Sequence, residues 1–360
     1  MSKIKSNINF KELILHPENV IEKLDLIYID HTKLNIIREK NKKTFIFRYG
    51  DKIIEEEKEI ERFNSLVIPP AWQKVKISSI ANSHLQATGR DVKNRKQYRY
   101  HPRWNLIRNQ TKFYKMSLFG ENIPKIRKQI DIDLNQAGWP KSKVVALVLK
   151  LMEETHIRIG NEQYAKRNKT YGLSTLRTKH VKTYREKINF EFIGKRGKEH
   201  KVSIRNKKLI KLIHQCEEIP GWELFQYFDE NGEKQSVESS MINEYVQSVC
   251  GTLFTAKDFR TWGASISAFN YLNEVGLEKE KNQQHKNVLS AYDSAAMALG
   301  NTRNVCKKYY VHPAIIEQYE DHSIKKYFEL AEVEKNKEYF TDSESAMLLL
   351  FQTYMPNFKV

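Results

Sequence analysis

Cysteine is scarce in this 360-residue chain: Cys216, Cys250 and Cys306 are scattered and odd in number. Such a set cannot frame a disulfide-stapled fold and points to a reducing compartment, the cytoplasm. No Cys-x-x-Cys pair and no His pair at metal spacing occurs, so structural zinc is not expected. No apolar run approaches the roughly 20 residues that span a bilayer. The opening MSKIKSNINFKEL lacks the apolar core of a secretory signal. There is no internal repeat and no low-complexity linker. A Gly-x-x-x-x-Gly-Lys-Ser/Thr phosphate loop is missing, which argues against nucleotide-driven chemistry. Well-placed carboxylate clusters, which a metal nuclease would need, are missing too. Glu153 and Glu154 sit together on a helix, where they read as solvated or orienting.

Acidic residues are outnumbered, 44 against 61 basic ones, for a net charge of +17. That excess predicts a polyanionic partner, because each Lys or Arg at a phosphate releases condensed counterions. An anionic membrane would call for a long basic amphipathic helix, and none is evident. Hydrophobic content of 40% and aromatic content of 11% predict a folded chain, long enough for two domains.

Residues 26–50 read as short strands, with the β-rich Thr44-Phe45-Ile46-Phe47-Arg48-Tyr49 after a polar turn from Glu39 to Lys43. Residues 54–66 read as a charged helix stopping before Pro69-Pro70. A hairpin is expected in 83–100, around the basic turn RDVKNR. From Trp104 to about Arg167 the pattern is mostly helical, and Lys143 to Met152 is its most apolar part. Around 174–204 strands return, with Gly194-Lys195-Arg196-Gly197-Lys198 as a turn between alternating runs. From Lys207 onward the chain reads as helical, with helices near 207–216, 239–250, 261–275 and 283–299 and a solvated helical extension over 320–345. The expectation is an α+β protein: a small β-rich domain over 1–110, then a mainly helical domain over 111–360 with a small inserted sheet.

Breaking a DNA strand reversibly asks for a particular set of side chains. A tyrosine phenol can form a phosphodiester that conserves the bond energy for resealing. Two arginines can clamp the non-bridging oxygens in the transition state. A lysine can protonate the departing oxygen. The chain offers such groups in His156-Ile157-Arg158-Ile159-Gly160-Asn161-Glu162-Gln163-Tyr164, at Lys195, in Lys257-Asp258-Phe259-Arg260-Thr261-Trp262, and from Gly300-Asn301 to Tyr309-Tyr310. Each has a plain structural reading: a salt-bridged arginine, a solvated turn lysine, half-buried tyrosines, a helix-end asparagine. Taken singly they describe a basic DNA-binding protein and leave its catalysis open.

Ordered motifs across 65–313 resemble the bacterial branch of the poxvirus-type DNA topoisomerase IB family. They are Ile68-Pro69-Pro70-Ala71-Trp72; His84 to Asp91; Arg95 to Trp104, with Gln97-Tyr98-Arg99-Tyr100; Ile157-Arg158-Ile159-Gly160-Asn161-Glu162; Tyr171 to Arg177; Asp258-Phe259-Arg260-Thr261-Trp262; and Gly300-Asn301 to Tyr310. The resemblance implies the tyrosine recombinase/topoisomerase IB catalytic fold with an inserted three-stranded sheet. It implies Tyr310 as nucleophile, Arg158 and Arg260 on the phosphorane and Lys195 as general acid. Tyr309 competes with Tyr310, and the spacing from Asn301 favours Tyr310. Asn301 stands where many members carry histidine; its uncharged amide is expected to contribute less than either arginine. Arg90, Gln97, Tyr98, Tyr100 and Tyr164 are implied DNA contacts. On a strand, Tyr98 and Tyr100 share a face with Lys96, and Gln97 points the other way, where a Gln can read a base edge.

The implied activity is supercoil relaxation by a monomer on duplex DNA in the cytoplasm, with the nucleoid. It uses no ATP or metal cofactor and has no membrane partner. The first domain is implied to close over the opposite face of the duplex. A tyrosine recombinase shares the Arg, Lys, Arg and Tyr chemistry but normally shows His-x-x-Arg at its second arginine. Here Lys257 stands three before Arg260, and the β-rich first third differs from a helical recombinase arm. A non-catalytic DNA-binding protein would keep the charge without these four groups together.

Overall fold

The computed structural model describes residues 9–42, 44–333 and 338–358. Residues 1–8, Lys43 of the first polar turn, residues 334–337 of the charged tail and residues 359–360 lie outside them. The chain divides into two compact units. One comprises the described residues of Met1–Tyr114 and Met355–Val360, the other Lys115–Tyr354.

The first unit holds helix α1 (Phe10–Leu15), strands β1 (Ile36–Asn41), β2 (Thr44–Tyr49) and β3 (Lys52–Ile53), helix α2 (Glu57–Ser65), and strands β4 (Gln73–Ile77), β5 (Leu85–Arg90) and β6 (Lys96–Tyr100). The six strands form one sheet in the order β3-β2-β1-β4-β5-β6. Alternation in β2 and β4 turns Phe47, Val75 and Ile77 onto Phe63 of α2, which makes one small core. The β5–β6 turn is shaped by Asp91, whose Oδ1 accepts from the Lys93 and Arg95 amides at 3.0 and 2.9 Å. Residues 26–35 are not a strand: Ile27 makes a single bridge to Ser83, and His31–Lys33 is a 3₁₀ turn capped by Asp30. Strand β4 had no clear signal, because Lys74 takes positive φ and breaks the pairing register with β5.

Helix α3 (Pro102–Leu134) contains the division between the units. In the second unit follow α4 (Lys141–Thr155), α5 (Glu162–Asn168), strands β7 (Val181–Tyr184), β8 (Lys187–Ile193) and β9 (Glu199–Ile204), α6 (Lys207–Glu217), strands β10 (Gln226–Phe228) and β11 (Lys234–Ser236), and helices α7 (Ser239–Cys250), α8 (Ala256–Val275) and α9 (Lys281–Leu299). The last helices are α10 (Arg303–Tyr309), α11 (Pro313–Glu320), α12 (Lys325–Glu332) and α13 (Asp342–Gln352). The architecture is α+β, with the three-stranded sheet β7-β8-β9 set among helices. Helix α4 lies at the centre of the core, Val144 to Leu149 being buried without interruption.

Three further expectations need correction. The region after Lys207 is not wholly helical: β10 and β11 form a hairpin whose turn is pinned by Asp229 Oδ1, which accepts from the Asn231 and Glu233 amides. Helix α8 starts at Ala256 rather than near 261, because Thr255 and Asp258 form a capping box, the Thr255 amide donating to Asp258 Oδ2 at 2.9 Å. The 320–345 region is no solvated extension. Tyr327 and Phe328 are buried, and Glu344 at the start of α13 is 4% exposed. There it binds Arg127 through both carboxylate oxygens, at 2.7 and 2.8 Å, and accepts from the Trp262 indole at 2.9 Å. The high charge of this region hid a buried ion pair. Among the described residues no helix is long and apolar enough to cross a membrane.

Candidate active site

Four of the sequence-predicted residues converge in the second unit. Arg158 stands in the non-helical stretch between α4 and α5. The chain leaves α4 at His156, which takes a left-handed φ of 52° and closes the helix by donating to Met152 O. The stretch is braced by the Tyr171–Arg177 motif. Leu173 donates its amide to Arg158 O at 2.8 Å, and Tyr171 donates to Ile193 O at the end of β8. A methyl group on Gly172 would stand 2.4 Å from Arg158 O, so that motif needs its glycine for close approach. Arg158 and Tyr164 are therefore not on one helical run; Tyr164 lies on α5 and is exposed.

Arg260 lies in the second turn of α8. The α8 capping box also takes Lys115, whose Nζ reaches Asp258 at 2.8 Å, so Asp258 of the Asp258–Trp262 motif anchors the helix start. Arg260 is 4% exposed. Its Nη2 donates to Leu299 O at 3.1 Å, while Nε and Nη1 are buried without a hydrogen bond of good geometry; the Tyr310 hydroxyl beside the guanidinium is only a weak acceptor for it. Its Cζ stands 5.7 Å from the centre of the Tyr310 ring. Burial, and then Arg158, hold the guanidinium down to about 10, with Tyr310 and Cys306 opposing, so it stays charged at neutral pH. A buried cation with unused donors is costly unless an anion completes it.

Asn301 is delivered by the end of α9. Gly300 takes φ 60°, and the Asn301 amide donates to Ala296 O at 2.9 Å, a Schellman-type close. The side chain then meets the other elements: Arg158 Nη2 donates to Asn301 Oδ1. The Asn301 Nδ2 is buried without a hydrogen-bond partner of good geometry; the Cys306 thiol beside it is only a weak acceptor. Burial pushes that thiol up to about 11, against the pull of Arg260 and Asn301, so it is inert as a nucleophile.

Tyr310 follows α10, its amide donating to Cys306 O at 3.0 Å. It is half-buried against the core. Tyr309 is 43% exposed and faces Lys308, 5.3 Å from its ring. Ser265, fully buried on α8, accepts from the His312 amide at 3.1 Å and stands 3.3 Å from Tyr310 O, so the backbone carrying Tyr310 is tied to the helix carrying Arg260.

Lys195 stands apart from this cluster on the exposed β8–β9 turn, which is closed by the Gly194 amide on Lys198 O at 2.7 Å, with Arg196 and Gly197 at positive φ. Between that turn and the cluster lies His200 on β9. Its imidazole is held below its ordinary range by burial and by Arg158, Lys198 and Arg260. His156 is held down to about 4, by burial first and then Arg260; its ring packs so closely on α8 that a methyl group on Gly263 would stand 2.3 Å from Cε1. The sequence reading named neither His200 nor Ser265 as a site residue. A strand histidine paired with Phe192 and a helical serine carry no signal until the elements are packed.

The remaining predicted contacts lie in the first unit. Tyr98 and Tyr100 stack with centroids 6.0 Å apart and planes within 8°, and Lys96 Nζ stands 5.5 Å from the Tyr98 ring, as alternation on β6 requires. Gln97 donates to Asp91 Oδ2 at 2.9 Å, and Arg90 donates to Asn94 O at 2.9 Å across the same hairpin. Among the described residues no group of three His, Cys, Asp or Glu side chains could hold a metal ion.

Residues 95–337 match the family described as eukaryotic DNA topoisomerase I, catalytic core, and residues 45–91 match the bacterial DNA topoisomerase IB N-terminal domain. The chain is 38% identical to the DNA topoisomerase 1B of Acanthamoeba polyphaga mimivirus over 81% of its own length and 89% of the relative's. It is 25% identical to the DNA topoisomerase I of Monkeypox virus, over 67% of this chain and 74% of that one. A DNA topoisomerase 1 of Rabbit fibroma virus is 27% identical over 65% of this chain and 72% of the relative. This chain belongs to the DNA topoisomerase IB family.

Proposed function

We propose that this protein relaxes supercoiled duplex DNA by transient cleavage of one strand, with Tyr310 as the nucleophile. The observation that carries the assignment is the convergence of Arg158, Arg260 and Asn301 beside Tyr310, with Arg260 over the ring and its Nε and Nη1 unspent. A phosphate seated there would complete a buried cation that otherwise lacks an anion. Tyr310 Oη forms a bond to phosphorus as the bond to the 5′ oxygen breaks, its own proton leaving to solvent. Lys195 Nζ supplies the proton that the 5′ oxygen takes. The product is a 3′-phosphotyrosyl link and a free 5′-hydroxyl, and the duplex turns about the intact strand before the hydroxyl attacks back. The covalent link keeps the bond energy, so no ATP is needed. The arginines neutralise the developing charge, so no metal is needed.

In the first unit, the stacked Tyr98 and Tyr100 and the Arg90 hairpin take phosphate, and Gln97, once released from Asp91, takes a base edge. Tyr164 takes backbone from the exposed face of α5. The protein acts as a monomer in the cytoplasm. The alternative of Tyr309 as nucleophile is disfavoured by its exposure, and it is Tyr310 whose ring stands under Arg260.

Relaxation of supercoiled plasmid in excess EDTA without ATP tests this reading. Wild type and Tyr309→Phe should relax both supercoil signs, and Tyr310→Phe should not. Activity retained by Tyr310→Phe overturns the assignment. Arg158→Ala and Arg260→Ala should each slow cleavage by about 10²–10³-fold, the usual loss for a donor to a developing oxyanion.

A further inference from the structure

We infer that His200 is a positioning residue, whose ring clasps the backbone before Lys195 to the backbone before Asn301 and so fixes where the Lys195 ammonium stands as the 5′ oxygen departs. The inference rests on the reading of Lys195 as general acid and adds the device that places it.

Three observations support it. The first is a two-sided close approach. A methyl group on Gly194 would stand 2.5 Å from Cδ2 and 2.6 Å from Nε2 of His200. On the other edge of the same ring, a methyl group on Gly300 would stand 2.8 Å from Cε1 and 3.3 Å from Nδ1. The imidazole is thus a plate between two glycines, one immediately before Lys195 and one immediately before Asn301. Neither neighbour could carry a side chain without displacing it.

The second observation is that the plate is itself held. His200 pairs with Phe192 across β8 and β9, and the two rings stack at 5.0 Å with planes 10° apart. Lys195 lies on the turn that joins those two strands, and a two-stranded turn alone is a mobile mount for a catalytic ammonium. Packing against the end of α9 ties it to the element that delivers Asn301.

The third is electrostatic. The imidazole is kept neutral by burial and by Arg158, Lys198 and Arg260. A neutral plate joins the two turns without adding a further cation to a site that already holds two arginines.

The test is single-turnover cleavage by the full chain, on duplexes whose scissile bond carries either the natural 5′ bridging oxygen or sulfur. Sulfur leaves without a proton, so it removes the need for a placed acid. His200→Ala should bind duplex as wild type does and slow cleavage of the oxygen substrate by about 10–100-fold, as expected for a misplacement of about 1 Å. Most of that loss should vanish on sulfur, whereas the loss in Arg260→Ala should persist. His200→Phe, which keeps the plate, should stay within a few fold of wild type. Gly194→Ala should be slow and should be relieved by adding His200→Ala, because the cavity accepts the methyl group.

A wild-type rate for His200→Ala, an equal loss on oxygen and sulfur, or simple multiplication of the Gly194→Ala and His200→Ala defects overturns the inference. Lys195→Ala, run alongside, tests the reading beneath it. Absence of sulfur rescue there overturns the general-acid role itself, and the clasp is then decided by the coupling between Gly194 and His200 on the oxygen substrate.

Discussion

The guanidinium of Arg158 donates from Nη2 to Oδ1 of Asn301, joining the stretch after α4 to the turn after α9. This bond fixes the amide so that its Oδ1 is used and its Nδ2 remains as a buried donor. Asn301→Ala should slow cleavage by about 10–100-fold, less than loss of either arginine, because a neutral donor is roughly half as strong as a charged one. Asn301→Asp keeps an acceptor for Arg158 but sets a carboxylate against the phosphate, and it should be slower than Asn301→Ala. Rapid-quench cleavage of a labelled duplex orders the two, and a faster Asp variant would refute the donor role of Nδ2.

Ser265 ties the backbone that carries Tyr310 to α8. Removing its hydroxyl takes away the acceptor that Ser265 offers the buried His312 amide, at a cost of about 1–3 kcal/mol. Ser265→Ala should lower the urea midpoint accordingly and also slow cleavage, whereas Ser267→Ala, whose hydroxyl only bonds back to Gly263 O within the same helix, should do neither. Equal behaviour of the two variants would remove Ser265 from the positioning of Tyr310.

The Arg127–Glu344 pair holds α13 against α3, and the Trp262 indole on the same carboxylate holds it against the helix that carries Arg260. Burial alone would raise the Glu344 carboxyl, but Arg127, with hydrogen bonds from Thr341 and Trp262, carries it below the ordinary value. Glu344→Ala leaves Arg127 with the Glu153 carboxylate and the Tyr339 carbonyl and strips the Trp262 indole of its acceptor. Breaking a buried pair of this kind costs about 3–5 kcal/mol. Differential scanning calorimetry should show a lower transition; an unchanged melting temperature would contradict the tether.

Acid should destabilise the second unit through its buried histidines. His156 and His180 are each depressed from 6.5 to about 4, His156 by burial and Arg260, His180 by burial, Lys179 and Arg177. A histidine depressed in the folded state lets the unfolded chain bind the proton first. Its contribution is therefore intact above pH 6.5 and lost as pH falls from 6.5 towards 4, by up to about 3 kcal/mol for His156. Urea unfolding at pH 7.5 and pH 5 should show the drop, and His156→Asn should shrink the difference between the two. A pH-independent midpoint would rule out neutral burial of both rings.

Much of this protein was legible in one dimension. The run Lys143–Met152 is the most apolar stretch of the helical region, with only Lys143 and Lys150 to interrupt it, and it forms the central helix. Alternation fixed which side of β6 carries Tyr98 and Tyr100, and the paired glycines around Lys195 fixed a turn. The charge excess, the ordered motifs and the missing phosphate loop narrowed the chemistry to reversible strand cleavage. Where the local signal was strong and short-ranged, the structure follows it.

What the sequence could not supply lies between elements far apart in the chain. Arg158 and Asn301 are separated by 143 positions, Arg127 and Glu344 by 217, and only packing brings them together. High charge made 320–345 read as solvent-facing, because burial of Glu344 depends on a guanidinium that the local sequence does not contain. His200 is one strand residue among many until β9 meets the end of α9. The sequence by itself determined the element types and the supply of reactive side chains, since these follow from periodicity, turn chemistry and composition. The tertiary structure alone decided which donors are left unspent, which histidines stay neutral and which of two adjacent tyrosines faces the arginines, because burial and proximity are properties of the packed chain.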